Sequence, residues 1–132
     1  VGNFATMIYL LLFLFFFKHF LADYLWQNQR MLTEKGTYGA LGGLQHAGLH
    51  GAFTYVILLH FLDPVLALAL AVFDAFLHYH IDWAKRQFSQ GLTPDDRTFW
   101  IWHGIDQLLH AITYFVLVYL TGLLIFNGTT NT

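Results

Sequence analysis

The sequence predicts an all-α integral membrane protein folded as an up-and-down four-helix bundle. Three observations carry this. The chain of 132 residues is 57% hydrophobic and only 11% charged, with a mean hydropathy of +0.52, whereas a soluble domain carries about 25% charged residues. Apolar stretches close to the ~20 residues that cross a bilayer recur along it. The polar breaks between them are short, which makes consecutive helices antiparallel neighbours. A soluble helical domain with a greasy core is the weaker reading, because each helix is apolar on most of its faces rather than along one stripe. The length allows a single transmembrane domain, residues 1–132.

Four spans succeed one another. Residues 4–27 include the run YLLLFLFFF. No basic region precedes this segment and no small-residue cleavage site comes after it, so it reads as a span and not as a cleaved signal. The polar, glycine-containing stretch NQRMLTEKGTYGALGG leads to residues 44–62. Asp63-Pro64 breaks the chain there, since proline disfavours helix at the residue before it and starts a new helix well. Residues 65–85 form the third span and KRQFSQGLTPDDR the next loop. In that loop Thr93 is a candidate cap, and Pro94 suits a first helical turn. Residues 98–126 form the fourth and longest span.

Charge excludes several classes. The net charge of -2 and the six scattered Lys and Arg offer no basic stripe for nucleic acid. With no cysteine, disulfides and thiolate metal sites are absent. Arg30 and Lys35 lie in the first loop, and Lys85, Arg86 and Arg97 in or beside the third. By the positive-inside rule those loops face the cytoplasm and both termini face the periplasmic side.

The spans nevertheless carry polar residues. The first holds His19, Asp23 and Gln27, the second His46 and His50, the third Asp74, His78 and Asp82, the fourth His103, Asp106 and His110. Spacings of three or four residues put each set on one helical face. Counted from the cytoplasmic loops at ~1.5 Å per residue, the sets meet at one depth in the cytoplasmic half of the bilayer. An ionised Asp at mid-span costs at least ~2.5 kcal/mol, so the carboxylates need compensation. A divalent cation supplies it, and imidazole with carboxylate suits zinc, with manganese or iron as further options. The candidate ligands are His19, Asp23, His46, His50, His78, Asp82, His103, Asp106 and His110, enough for one or two ions. Asp74 and Asp106 are the candidate catalytic bases. Gln27 and Gln107 are candidate hydrogen-bond partners of ligands. Lys18 either snorkels or pairs with an acid such as Asp74. Local His–Asp hydrogen bonds at i, i+4 remain the plain alternative for His19 with Asp23 and for His78 with Asp82.

The pieces HFLADYLWQ, HYHIDWAK and DQLLH resemble a family of small bacterial and phage membrane proteins known as domain of unknown function 3307. The shared elements are His19, Asp23 and Gln27, then His78 and Asp82, then Asp106, Gln107 and His110. The resemblance implies a bacterial inner membrane location and brings no established activity. The helical His-x3-Asp pattern is also similar to that of inner-membrane metal-dependent hydrolases. More distantly it is similar to the zinc-dependent phospholipase C and P1-type nucleases. Those enzymes use their N-terminal residue as a ligand, whereas Val1 is expected on the far side of the membrane, so the arrangement here must differ. The expected function is therefore a metal-dependent hydrolase of a lipid or nucleotide phosphoester at the cytoplasmic leaflet. Alternatives are a metal or proton transporter, or a haem-binding, pigment-binding or structural subunit. A homo-oligomer or a larger membrane complex is compatible with either.

Overall fold

A computed structural model describes residues 3–129, with side chains to residue 127; the expectation for Val1 lies outside the described residues. Those residues are helical throughout, joined by short turns. The elements are α1 (Phe4–Phe20), a π turn (Leu21–Leu25), α2 (Gln29–Glu34), α3 (Leu41–Leu58), α4 (Pro64–Phe88) and α5 (Arg97–Thr129). α1, α4 and α5 are each long and apolar enough to cross a membrane, α1 together with its π turn. The chain thus has the helices of a membrane protein. α3 falls short of that standard because Gln45, His46, His50 and four glycines dilute its apolar residues.

Local chemistry sets the boundaries. Asn3 opens α1, its side chain accepting from the Thr6 amide at 2.8 Å. Asp63 caps α4 by accepting from the Val65 and Leu66 amides at 3.0 and 3.1 Å, with Pro64 in the first turn, as the Asp63-Pro64 break implies. Thr93 does not cap α5. It is tied by Asp96, whose Oδ2 accepts from its amide at 2.7 Å, and the helix begins only at Arg97.

The first loop contains a helix that the sequence pattern does not announce. Asn28 caps α2 by accepting from the Met31 amide at 3.0 Å. Glu34 then accepts from the Gly42 amide at 2.6 Å and pairs with Arg30 at 3.0 Å. The Gly42 amide, more than Arg30, holds the Glu34 carboxyl below the usual carboxylate range. A Cβ at Gly42 would sit 2.6 Å from the Arg30 carbonyl oxygen, so only glycine permits α2 to lie so close to α3.

The four long helices pack in a square. α1 contacts α3 and α5, and α4 contacts α3 and α5, leaving α1 opposite α4. Between α3 and α4 the approach is close, since a Cβ at Gly51 would lie 3.0 Å from the Ala75 Cβ. At one end the interior is largely apolar, built by Leu11, Phe15, Leu58, Ala67, Leu117 and Val118 around Tyr114, with the buried Thr121 hydroxyl returned to the Leu117 carbonyl. Large apolar side chains such as Phe13, Val65, Phe115 and Tyr119 are exposed around the outside. At the other end the interior is polar.

Candidate metal centre

The polar interior begins where α1 ends. The Trp26 amide bonds the Leu21 carbonyl at 2.9 Å, a wide i→i+5 closure. Such π turns recur at functional sites because they re-aim a side chain, and the side chain within this one is Asp23. Its Oδ2 lies 3.2 Å from His19 Nε2. Its Oδ1 lies 2.9 Å from His50 Nε2, 3.2 Å from His46 Nε2 and 3.9 Å from His78 Nε2. His46 and His50 come from consecutive turns of α3, and His78 from α4. The Nε2 atoms of His46 and His78 face each other at 3.2 Å.

A second focus lies towards α5. Asp82 Oδ1 is 3.3 Å from His110 Nε2, and Asp106 Oδ1 is 3.5 Å from the same nitrogen. Asp106 Oδ1 is buried and makes no hydrogen bond among the described residues. The other oxygen of Asp82 reaches back to His46 Nε2 at 3.3 Å and His78 Nε2 at 3.6 Å. One carboxylate thus spans both foci.

Three groups of donor atoms are close enough to hold an ion: Asp23, His46, His50 and His78; Asp82, Asp106 and His110; and His19, His78 and His110. The first two share no residue, whereas the third borrows from both. Eight of the nine candidate ligands are therefore brought together. His103 is not. It is half-buried, one turn nearer the start of α5, with its ring edge-on to Trp100 at 5.9 Å. Its rotational position suits the site, but its level along the helix does not.

Asp74 also stands apart. Lys18 donates to its Oδ2 at 2.5 Å, and the Thr54 hydroxyl donates to the same oxygen at 2.6 Å. The sequence left Lys18 between snorkelling and pairing; it is paired, and only 2% exposed. Asp74 is thus committed to a buried ion pair one turn away from the candidate ion-binding groups, which argues against it as a base. Gln27 lies beyond the π turn and outside any helix, and its amide donates to the Asp23 carbonyl at 2.8 Å. It supports the chain at Asp23 and makes no hydrogen bond to a candidate ligand side chain among the described residues. Gln107 does: its Oε1 is 3.2 Å from His19 Nε2, and its amide donates to Asp106 Oδ2 at 3.0 Å.

Three partners were missed in the sequence. Lys35, at the end of α2, donates to Asp82 Oδ2 at 3.1 Å. The Tyr114 hydroxyl shares a 2.7 Å hydrogen bond with His19 Nδ1. Thr54 holds Asp74. Two of them had a visible signal, because Thr54 and Tyr114 continue the four-residue steps His46–His50 and Asp106–His110.

The charge balance is informative. Asp74 has Lys18 and Asp82 has Lys35, but Asp23 and Asp106 have only imidazoles as ionic partners among the described residues. Two facing imidazole nitrogens can share one proton, or both can direct lone pairs at a cation. Ligands placed ~2.0–2.1 Å from a tetrahedral ion stand about 3.3 Å from one another. The contacts of 2.9, 3.2, 3.2 and 3.9 Å in the first group, and of 3.3 and 3.5 Å in the second, lie around that edge length. The residues therefore fit a divalent ion by count, chemistry and spacing.

No curated protein and no solved structure matches the chain. A family match covers residues 11–131, which contain every residue of the His/Asp layer. On that coverage the chain belongs to the family described as Protein of unknown function (DUF3307).

Proposed function

We propose that the protein is a four-span bundle in the bacterial inner membrane that holds two divalent ions, zinc by preference, and hydrolyses a phosphoester at the cytoplasmic leaflet. The observation that carries the reading is the pair of non-overlapping donor groups, four residues in one and three in the other. Closed four-ligand sites are typically structural, and three-ligand sites leave a position for water or substrate. Asp23, His46, His50 and His78 form the closed group; Asp82, Asp106 and His110 form the open one. Zinc is favoured over a di-iron centre because the only glutamate, Glu34, lies outside the layer.

Asp82, Asp106 and His110 would hold an ion that would acidify a water towards neutrality and offset the charge of the phosphoryl oxygens. The chain's own residues do the rest. Asp82 ties the two groups together at a fixed distance. Lys35 offsets its charge. Of the eight assembled candidates, His19 is the one outside both groups, and it is held by Tyr114, Asp23 and Gln107. Both its ring nitrogens are engaged there, so the proton of the attacking water goes instead to Asp106, whose Oδ1 makes no hydrogen bond among the described residues, and from it to the leaving oxygen. The P–O ester bond breaks as the new P–O bond to water forms. α3, too polar for a lipid-exposed span, fits this scheme because its polar face is covered by α1 and α4.

The test is metal analysis of detergent-purified protein by mass spectrometry, with Asp23→Ala beside it. About two equivalents of zinc in the wild type, falling by at least one in the variant, is expected. Wild-type protein without stoichiometric metal after growth in zinc would end this reading.

A further inference from the structure

A hollow of about 370 Å3 lies at the polar end of the bundle, between the turn after α2 and the end of α4. Its walls are largely polar, Thr33, Thr37, Arg86, Ser89 and Gln90 among them, and no acidic side chain lines it. Two features build it. The Gln87 amide donates to the Gly36 carbonyl at 2.7 Å, and a Cβ at Gly36 would lie 3.2 Å from the Arg86 Cβ, so the first loop rests directly on the last turns of α4. Gly91, at φ +74°, then turns the chain beyond the helix. Some donors on these walls are already spent: the Thr33 hydroxyl donates to the Gln29 carbonyl at 3.0 Å, and the Gln90 amide to Gln87 Oε1 at 3.1 Å. Three are not. The Arg86 guanidinium and the hydroxyls of Thr37 and Ser89 make no hydrogen bond or ion pair among the described residues. The cations nearby in the chain are committed elsewhere, Arg30 to Glu34 and Lys35 to Asp82.

We propose that this hollow binds a phosphate-ester anion. Unused donors come from both walls, a guanidinium is among them, and no carboxylate competes for it. That set matches a ligand with a negative charge and several acceptor oxygens, which is the chemistry that arginine serves best. Arg86 meets the charge, and the Thr37 and Ser89 hydroxyls meet the remaining oxygens. A volume of about 370 Å3 leaves room for the phosphate and a small organic remainder. On the orientation that the basic loops predict, the hollow opens at the cytoplasmic surface, where anionic lipid headgroups and soluble phosphoesters both occur. None of the candidate metal ligands lines it, so the site stands apart from the two-ion reading.

The experiment is native mass spectrometry of the detergent-purified full chain with dioleoyl phosphatidylglycerol against dioleoyl phosphatidylcholine, and calorimetric titration with glycerol 3-phosphate in parallel. Preferential retention of phosphatidylglycerol assigns the anion to a lipid headgroup; binding of glycerol 3-phosphate assigns it to a soluble ester. With either source, Arg86→Gln should weaken binding about tenfold, the scale of one charge-assisted contact. Thr37→Val should weaken it about threefold, the scale of one neutral hydrogen bond. Arg86 and Thr37 are both exposed, so these variants keep the fold. Arg97→Gln removes the same charge outside the hollow and should leave binding unchanged. The proposal is overturned if wild-type protein neither prefers phosphatidylglycerol nor binds glycerol 3-phosphate. It is overturned equally if Arg97→Gln weakens binding as much as Arg86→Gln, because loop charge alone would then account for the affinity.

Discussion

Around Leu11, Phe15, Leu117 and Val118 the bundle packs carbon against carbon, whereas a few residues further along the same helices it packs imidazole against carboxylate. The apolar half needs nothing beyond shape, since hydrocarbon outside and hydrocarbon inside are equivalent solvents for a leucine. The polar half is the reverse. Its carboxylates and imidazoles are buried at a level where each lost partner leaves a charge in a low-dielectric interior. The difference teaches where tolerance ends. The apolar half can be trimmed with local consequences, while the polar half works as a connected set.

Three substitutions probe that contrast. Breaking the Lys18–Asp74 pair should have the largest effect. Lys18→Met strands the Asp74 carboxylate and should cost about 3–5 kcal/mol in a detergent unfolding titration. Joint replacement, Lys18→Met with Asp74→Leu, should recover most of that loss. A single variant as stable as the wild type would mean that the two halves do not differ as described. Leu117→Ala comes next. Leu117 is fully buried, but without a water-transfer penalty only lost packing counts, so about 2–3 kcal/mol is expected, at the lower end for such truncations. Its zinc content should be unchanged; loss of zinc would show that the halves are coupled. His103→Ala should be nearly silent, within about 0.5 kcal/mol in stability and with full zinc content. A fall in zinc would return His103 to the site from which its level on α5 excludes it.

Much of the layer was legible because helices repeat. His78 and Asp82 stand one turn apart in the chain and one turn apart in the bundle, and Asp106 and His110 do the same. Periodicity reports rotation about a helix axis and is silent on level between helices, so His103 was grouped with residues it does not meet. The polar loop before α3 read as a connector because six residues of α2 carry no apolar stripe. Its role is tertiary: it brings Lys35 to Asp82, a contact 47 positions apart that no local pattern reveals. Lys18 and Asp74, 56 positions apart, needed the structure to choose between two geometries that the sequence left open.

The π turn at Leu21–Leu25 has a further consequence. It holds one residue more than an α-helical turn, and each residue rotates a helix by ~100°. It acts as a phase shift between α1 and the chain beyond. Removing one residue there would restore a regular helix, and Asp23 could then no longer face His50 while Lys18 faces Asp74. The two buried clusters that this first span serves are kept in phase with their separate partners by a single irregular turn, and a chain shortened there by one residue would have to choose between them.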